Sequence, residues 1–110
     1  NDKKDIQVVN TLNNGAIRDF REDSAAEMSC VITKEGPKPL SVGYLPVAVS
    51  GLVTEIKSFE ILAAKAAVEG DYNAALQALC INPLIPSDGL AKTILDEMME
   101  AHKEYLPQFK

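Results

Sequence analysis

The chain has 110 residues, 46% of them hydrophobic, with sixteen acidic side chains against eleven basic ones and a net charge of -5. That length suits a single domain, residues 1–110, with one core; the acidity, with no concentrated basic patch, excludes nucleic acid as an expected partner. No apolar run approaches the roughly 20 residues that span a bilayer, and no signal peptide opens the chain, so no membrane partner is expected.

Three Phe, three Tyr and no Trp imply an aliphatic core. Cys30 and Cys80 have neither a second pair nor a histidine at ligand spacing. They read as reduced, buried thiols of a reducing compartment rather than as a zinc site or a disulfide. The first residue is Asn1 rather than Met, which suggests a piece of a longer polypeptide.

In chain order, Ile6, Val8 and Val9 form a short β-branched set that ends at Asn10 and predicts an opening strand. Thr11 to Ala16 then reads as a turn, with Asn14 and Gly15 both tolerant of positive φ. Ile17 to Ser24 is charged around two apolar anchors, Ile17 and Phe20, and predicts an irregular connection. From about Glu27 the pattern alternates, with Met28, Cys30 and Ile32 on one side: a half-buried strand. Lys34 to Pro39 interrupts it, and Leu40 to Gly43 is expected to return as its antiparallel partner, which confines Pro37 and Pro39 to the loop or an edge.

Pro46 to Glu69 predicts one long amphipathic helix. Val49, Leu52, Val53, Ile56, Phe59, Ala63, Ala66 and Ala67 recur at helical spacing, and this stripe is expected to cover the sheet. Pro46 suits the first turn and Gly70 the left-handed residue that ends a helix, while Gly51 weakens the interior. Asp71 can cap a second helix, Tyr72 to about Cys80, with Ala75, Leu76 and Leu79 on one face. Two prolines oppose helix over Asn82 to Pro86. Ser87 caps a third helix, Asp88 to about Tyr105, with Leu90, Ile94, Leu95, Met98, Ala101 and Tyr105 as its apolar positions. An opening strand, a hairpin and three helices, segregated along the chain, make an α+β fold in which helices pack a short antiparallel sheet.

No constellation of residues assembles chemistry by itself. His102 lacks ligand partners at suitable spacing and reads as a boundary or surface imidazole. Glu97 with Glu100, and Glu22 with Asp23, lie in charged stretches and read as solvated faces. Tyr44, Tyr72 and Tyr105 read as half-buried packing residues with a wet tip. Asn10, Asn13 and Asn14 differ in kind: three amides at the end of a strand can hydrogen-bond a sugar or a phosphate, although turn chemistry accounts for them without any ligand.

Taken together, the segments VVNTLNNGAI, the hairpin ending in PLSVGYLP, the junction AAVEGDYNAALQALCINPLIPS and the ending LDEMMEAHKEYLPQF resemble the C-terminal domain of family 4 glycoside hydrolases. These are the NAD- and manganese-dependent phospho-glycosidases. The resemblance runs from about Ile6 to Phe109, and the combination of NNGAI, GPKPLSVG and HKEYLPQF is most similar to the 6-phospho-β-glucosidase branch. It implies an N-terminal Rossmann domain for NAD, followed by a lactate/malate-dehydrogenase-like α+β domain of which this chain is the latter part.

The implied mechanism is redox elimination. A hydride leaves C3 of the 6-phosphosugar for NAD, a tyrosine base takes the acidified C2 proton, the C1–oxygen bond breaks, water adds and the hydride returns; Mn2+ held by a Cys and a His acts as the Lewis acid. The resemblance places the glycine-rich loop, the metal ligands and the base upstream of the matched region. No catalytic, cofactor-binding or metal-binding residue is therefore expected here, and the fragment alone is expected to be inactive. The substrate implied is a phosphorylated disaccharide, the setting a cytoplasmic homo-oligomer active in carbohydrate metabolism. Two alternatives stay open: a 6-phospho-α-glucosidase or α-galactosidase of the same family, and a free-standing binding or oligomerisation module.

Overall fold

A computed structural model describes residues 2–109. The opening strand is longer than its apolar set, forming β1 (Asp5–Leu12), and the alternating segment forms β2 (Ala25–Thr33). The two pair antiparallel, with Val9 opposite Met28 and Gln7 opposite Cys30. Alternation is what the pleat demands, and Ala26, Met28 and Cys30 are the buried residues of β2.

The return strand departs from expectation. It is β3 (Gly36–Pro39) rather than Leu40 to Gly43, with Ile32 opposite Pro37 and Cys30 opposite Pro39. The turn closes at Lys34 and Glu35, where the Thr33 hydroxyl donates to the Gly36 carbonyl (2.9 Å) and accepts from the Glu35 N–H (3.1 Å). Two prolines fit in this strand because the sheet order is β1-β2-β3, which leaves β3 at an edge where a missing N–H breaks no ladder.

The chain divides into two compact units, Asn1–Ser50 and Gly51–Lys110. The core of the first gathers Ala16, Ile17, Ala26, Met28 and Cys30, with Val9, Phe20, Ile32 and Leu45 packed against them. Ile17 and Phe20 are thus the anchors of the irregular connection, as their apolar character suggested.

The long helix is α1 (Val47–Glu69). Pro46 stands just before it, its carbonyl accepting from the N–H groups of Val49 (2.9 Å) and Ser50 (3.0 Å). The apolar stripe is built, but Ala66 is its one buried residue and Val49 and Leu52 are exposed. Periodicity sets which side chains share a face; it does not set how far that face is covered.

Gly70 ends α1 at φ 69, its N–H bonding the Ala66 carbonyl (2.9 Å). It is also a point of close approach, because a Cβ there would lie 2.0 Å from the Gln108 carbonyl oxygen. The Gln108 amide donates in return to the Ala67 carbonyl (3.0 Å). Left-handed backbone and absent side chain are both needed, and only glycine supplies both.

Next come α2 (Tyr72–Ile81) and α3 (Asp88–Ala101), capped by the Asp71 carboxylate on the Ala74 N–H (3.0 Å) and the Ser87 hydroxyl on the Leu90 N–H (3.3 Å). The two helices pack together, and their buried residues are Ala74 and Ala78 on α2 and Ala91 and Leu95 on α3. The expected α2 face of Ala75, Leu76 and Leu79 is only half-buried, because helices that approach closely bury small residues at the seam and leave larger ones on its flanks. The third helix ends four residues early: His102 leaves helical geometry (φ -113, ψ 12) and a 3-10 turn, Lys103–Tyr105, follows. Among the described residues no helix is long and apolar enough to cross a membrane.

Candidate functional site

The asparagine-rich turn is the most organised polar feature of the first unit. The Ala16 N–H bonds the Asn13 carbonyl (2.9 Å), which closes a four-residue turn with Asn14 at φ 47 and Gly15 at φ 79. Two successive positive φ values are what a primed turn requires, and Asn-Gly is the pair that meets it most cheaply.

Asn13 is fully buried, with 0% of its surface exposed. Its side-chain oxygen accepts from the Ile17 N–H (2.8 Å), and its amide nitrogen lies within bonding reach of the carbonyls of Ile17 (2.9 Å), Arg21 (3.2 Å) and Phe20 (3.3 Å). A segment with no regular structure of its own has its backbone groups satisfied by one side chain, as burial demands. Ser24 assists, its hydroxyl donating to the Arg21 carbonyl (3.0 Å).

The loop in turn holds the segment after β3. The Ala16 carbonyl accepts from Val42 (2.8 Å) and Gly43 (3.2 Å), and the Arg18 N–H donates to the Gly43 carbonyl (2.9 Å). Between these two segments lies a cavity of about 370 Å³ lined by Asn13, Asn14, Gly15, Ala16, Pro39 and Ser41. Asn13 and Asn14 therefore meet at one cavity. Asn10 does not line it: it lies exposed on β1 opposite Glu27, on the sheet face turned away from Met28 and Cys30. Ser41 completes the cavity; it lies in the GPKPLSVG segment, but nothing in that motif shows that sheet pairing of Pro39 and the hydrogen bonds of Ala16 and Arg18 bring it to the turn.

A larger groove, about 530 Å³, lies in the second unit among Phe59, Ala63, Leu95, Met98, Leu106, Phe109 and neighbouring side chains. Among the described residues its lining is almost wholly apolar, with His102 and Tyr105 as the side chains that carry nitrogen or oxygen, both of them exposed. It offers little that could bind a phosphorylated sugar, so the smaller polar cavity is the candidate.

Several other titratable groups serve as structural pairs. Tyr72 donates to Asp96 (2.5 Å) and Lys92 pairs with the same carboxylate (2.5 Å), joining α2 to α3. The Lys92 ammonium, and then the Tyr72 hydroxyl, hold Asp96 below the usual carboxylate range, and Asp96 raises both partners. Arg21 likewise lowers Asp23, and Glu100 pairs with Lys103 (2.6 Å); both pairs are solvent-exposed. Burial, with help from the Asp88 charge, pushes the Cys80 thiol up and makes it a poor nucleophile. Cys30 is buried with its thiol near the Met28 carbonyl (3.6 Å), and both cysteines are free. Tyr44 is exposed under the Arg18 guanidinium (5.6 Å to the ring centroid). Among the described residues no group of three His, Cys, Asp or Glu side chains could hold a metal ion, so the donor set does not fit manganese.

A model of the family 4 glycosyl hydrolase C-terminal domain matches residues 1–85. A probable 6-phospho-beta-glucosidase of Bacillus subtilis (strain 168) is 68% identical over 109 residues, which are 99% of this chain and 25% of that protein. Among solved structures, a 6-phospho-alpha-glucosidase from gut microorganisms, in complex with NAD and glucose-6-phosphate, superposes with a TM-score of 0.92 at 38% identity, covering 99% of this chain and 25% of that one. The 6-phospho-beta glucosidase of Thermotoga maritima, with manganese, NAD+ and glucose-6-phosphate, gives a TM-score of 0.85 at 32% identity over 96% of this chain and 26% of that one. The chain spans about a quarter of the length of the relatives it matches.

Proposed function

The chain belongs to the family 4 glycosyl hydrolases, as their C-terminal domain, and from that premise we propose that it is the C-terminal part of a 6-phospho-β-glucosidase, acting on phosphorylated disaccharides. The observation that carries the β assignment is the close identity to the Bacillus subtilis protein along nearly the whole chain. In this reading the full-length enzyme uses NAD to accept and return a hydride and Mn2+ as a Lewis acid. The residues in hand offer no fitting donor set for that metal, so no catalytic step is assigned to them.

What this chain contributes is a wall of the substrate cleft. The turn from Asn13 to Gly15 borders the sugar: Asn14 offers its exposed amide and Asn13 fixes the shape behind it, whereas Asn10, on the outer face of β1, stands apart from this cavity. The protein works in the cytoplasm as a homo-oligomer, and the exposed side chains of Val49 and Leu52 on α1 are a surface that subunit contacts can cover.

A second reading, a 6-phospho-α-glucosidase, is favoured by the higher TM-score of the α-specific structure. The deciding experiment is turnover of paired α- and β-linked 6-phosphoglucosides by the full-length enzyme with NAD and Mn2+. Preference for the β anomer is expected. Cleavage of the α anomer alone would overturn the assignment and leave the family standing.

A further inference from the structure

The geometry points to Ser41, together with Asn14, as a sugar-hydroxyl contact pair across the polar cavity, with Asn13 as the residue that positions one against the other. This rests on the proposed role of the loop as a cleft wall.

The two cavity walls belong to different segments. Asn13 to Ala16 form one, Pro39 and Ser41 the other. Asn13 clamps both backbone groups of Ile17, accepting from its N–H and donating to its carbonyl. The residues either side of Ile17 carry the second wall: Ala16 holds Val42 and Gly43, and Arg18 holds Gly43. One buried amide therefore fixes the first wall against the second, which the pairing of Pro39 with Cys30 and the hydrogen bond from the Leu40 N–H to the Ser29 carbonyl (3.0 Å) tie to the sheet.

Among the described residues, neither the Asn14 amide nor the Ser41 hydroxyl is drawn into that network, and both are exposed at the cavity. An amide supplies donors and an acceptor, and a hydroxyl supplies one donor and two acceptors, which is the mixed set that a sugar hydroxyl needs. Neither group is charged, so the pair suits the hydroxyl edge of a sugar rather than its phosphate.

The test uses the full-length enzyme, whose wild-type turnover of a 6-phospho-β-glucoside is measured first. Absence of turnover in the wild type would overturn the proposed function, and this inference with it. With an active wild type, Ser41→Ala and Asn14→Gly should each raise KM about five- to tenfold, the loss of one hydrogen bond. Both should leave kcat within about twofold and the melting temperature unchanged, since glycine accepts the positive φ of Asn14. An unchanged KM in both variants would overturn the inference while the function stands.

The positioning role is read from coupling. Adding Ser41→Ala to Asn13→Asp should raise KM no further than Asn13→Asp alone, because a displaced wall has already lost the Ser41 contact. Independent, multiplying effects would reduce Asn13 to a stabilising residue. If Asn13→Asp does not fold, the two surface variants decide the question by themselves.

Discussion

The two units are held together by opposite means. In the first, a small core is shaped by a buried polar group: Asn13 and Ser24 are the buried polar residues among those described, and both serve the same loop. In the second, the buried residues among those described are Ala66, Ala74, Ala78, Ala91 and Leu95, and a close backbone approach is made at Gly70, where no side chain fits. One unit is specified by hydrogen bonds that must be made and the other by volume that must be absent. The first should be sensitive to deleted polar atoms, the second to added carbons.

The largest expected effect is at Asn13. Asn13→Ala removes the partner of the Ile17 N–H and leaves buried carbonyls unpaired; at about 1 to 3 kcal/mol for each orphaned buried group, a total loss of about 3 to 5 kcal/mol is expected. Denaturant unfolding of the full-length protein measures it, and a loss under about 1 kcal/mol would break the comparison at its polar end.

Gly70→Ala comes next. Its methyl group would meet the Gln108 carbonyl and force a left-handed alanine, at about 1 to 2 kcal/mol for the backbone and a similar amount for the displaced segment. Faster amide exchange at Phe109 and Leu106, with β2 unaffected, is the expected signature. Ala91→Leu, at a site with no exposed surface on the α2–α3 seam, should cost about 1 to 3 kcal/mol by overpacking. A leucine tolerated there without loss would show the seam to be loose.

The smallest effect is that of pH. The depressed carboxylates of Asp71, Asp96 and Asp23 contribute stability that is present above the ordinary aspartate value, about 3.9, and is lost as pH falls through their lower folded values. Tyr72 and Lys92 are raised, so their contribution is complete below about 10 and is lost as pH rises through their higher folded values. The acid limb is shared by both units, whereas the alkaline limb from Tyr72 and Lys92 belongs to the second. Asp96→Asn should flatten that alkaline limb in a series of melting temperatures, and an unaltered limb would remove the Tyr72–Asp96–Lys92 link from the account. Asp23, Lys92 and Asp96 are exposed and Asp71 and Tyr72 half-buried, so added salt should shrink both limbs.

Local chemistry made much of this legible beforehand. Asn14 and Gly15 take positive φ, Asp71 and Ser87 cap their helices, Gly70 ends α1, and the alternation of β2 marks its buried side. Each of these is decided within a few residues. What stayed hidden depends on partners distant in sequence. Pro37 and Pro39 are rightly confined to a loop or an edge, but that they form the return strand itself, in place of Leu40 to Gly43, depends on the pairing with β2. Ala74 and Ala78 replaced the expected face of α2 because seam residues are chosen by how closely another helix approaches. Asn13 looked like a ligand-facing amide equal to Asn14, yet its neighbours in space are carbonyls of residues 17, 20 and 21, which a turn motif cannot announce. Ser41 lies inside the segment GPKPLSVG, with nothing in the motif to place it across from the asparagine turn.

Under the proposed function the first unit supplies a cleft wall, the second is scaffold, and the chemistry lies in the rest of the enzyme. The most direct test is to assay the pure 110-residue chain on a 6-phospho-β-glucoside with NAD, Mn2+ and reductant, beside the full-length enzyme. Turnover by the full-length enzyme and none by the chain is the predicted result; hydrolysis by the chain alone would contradict it.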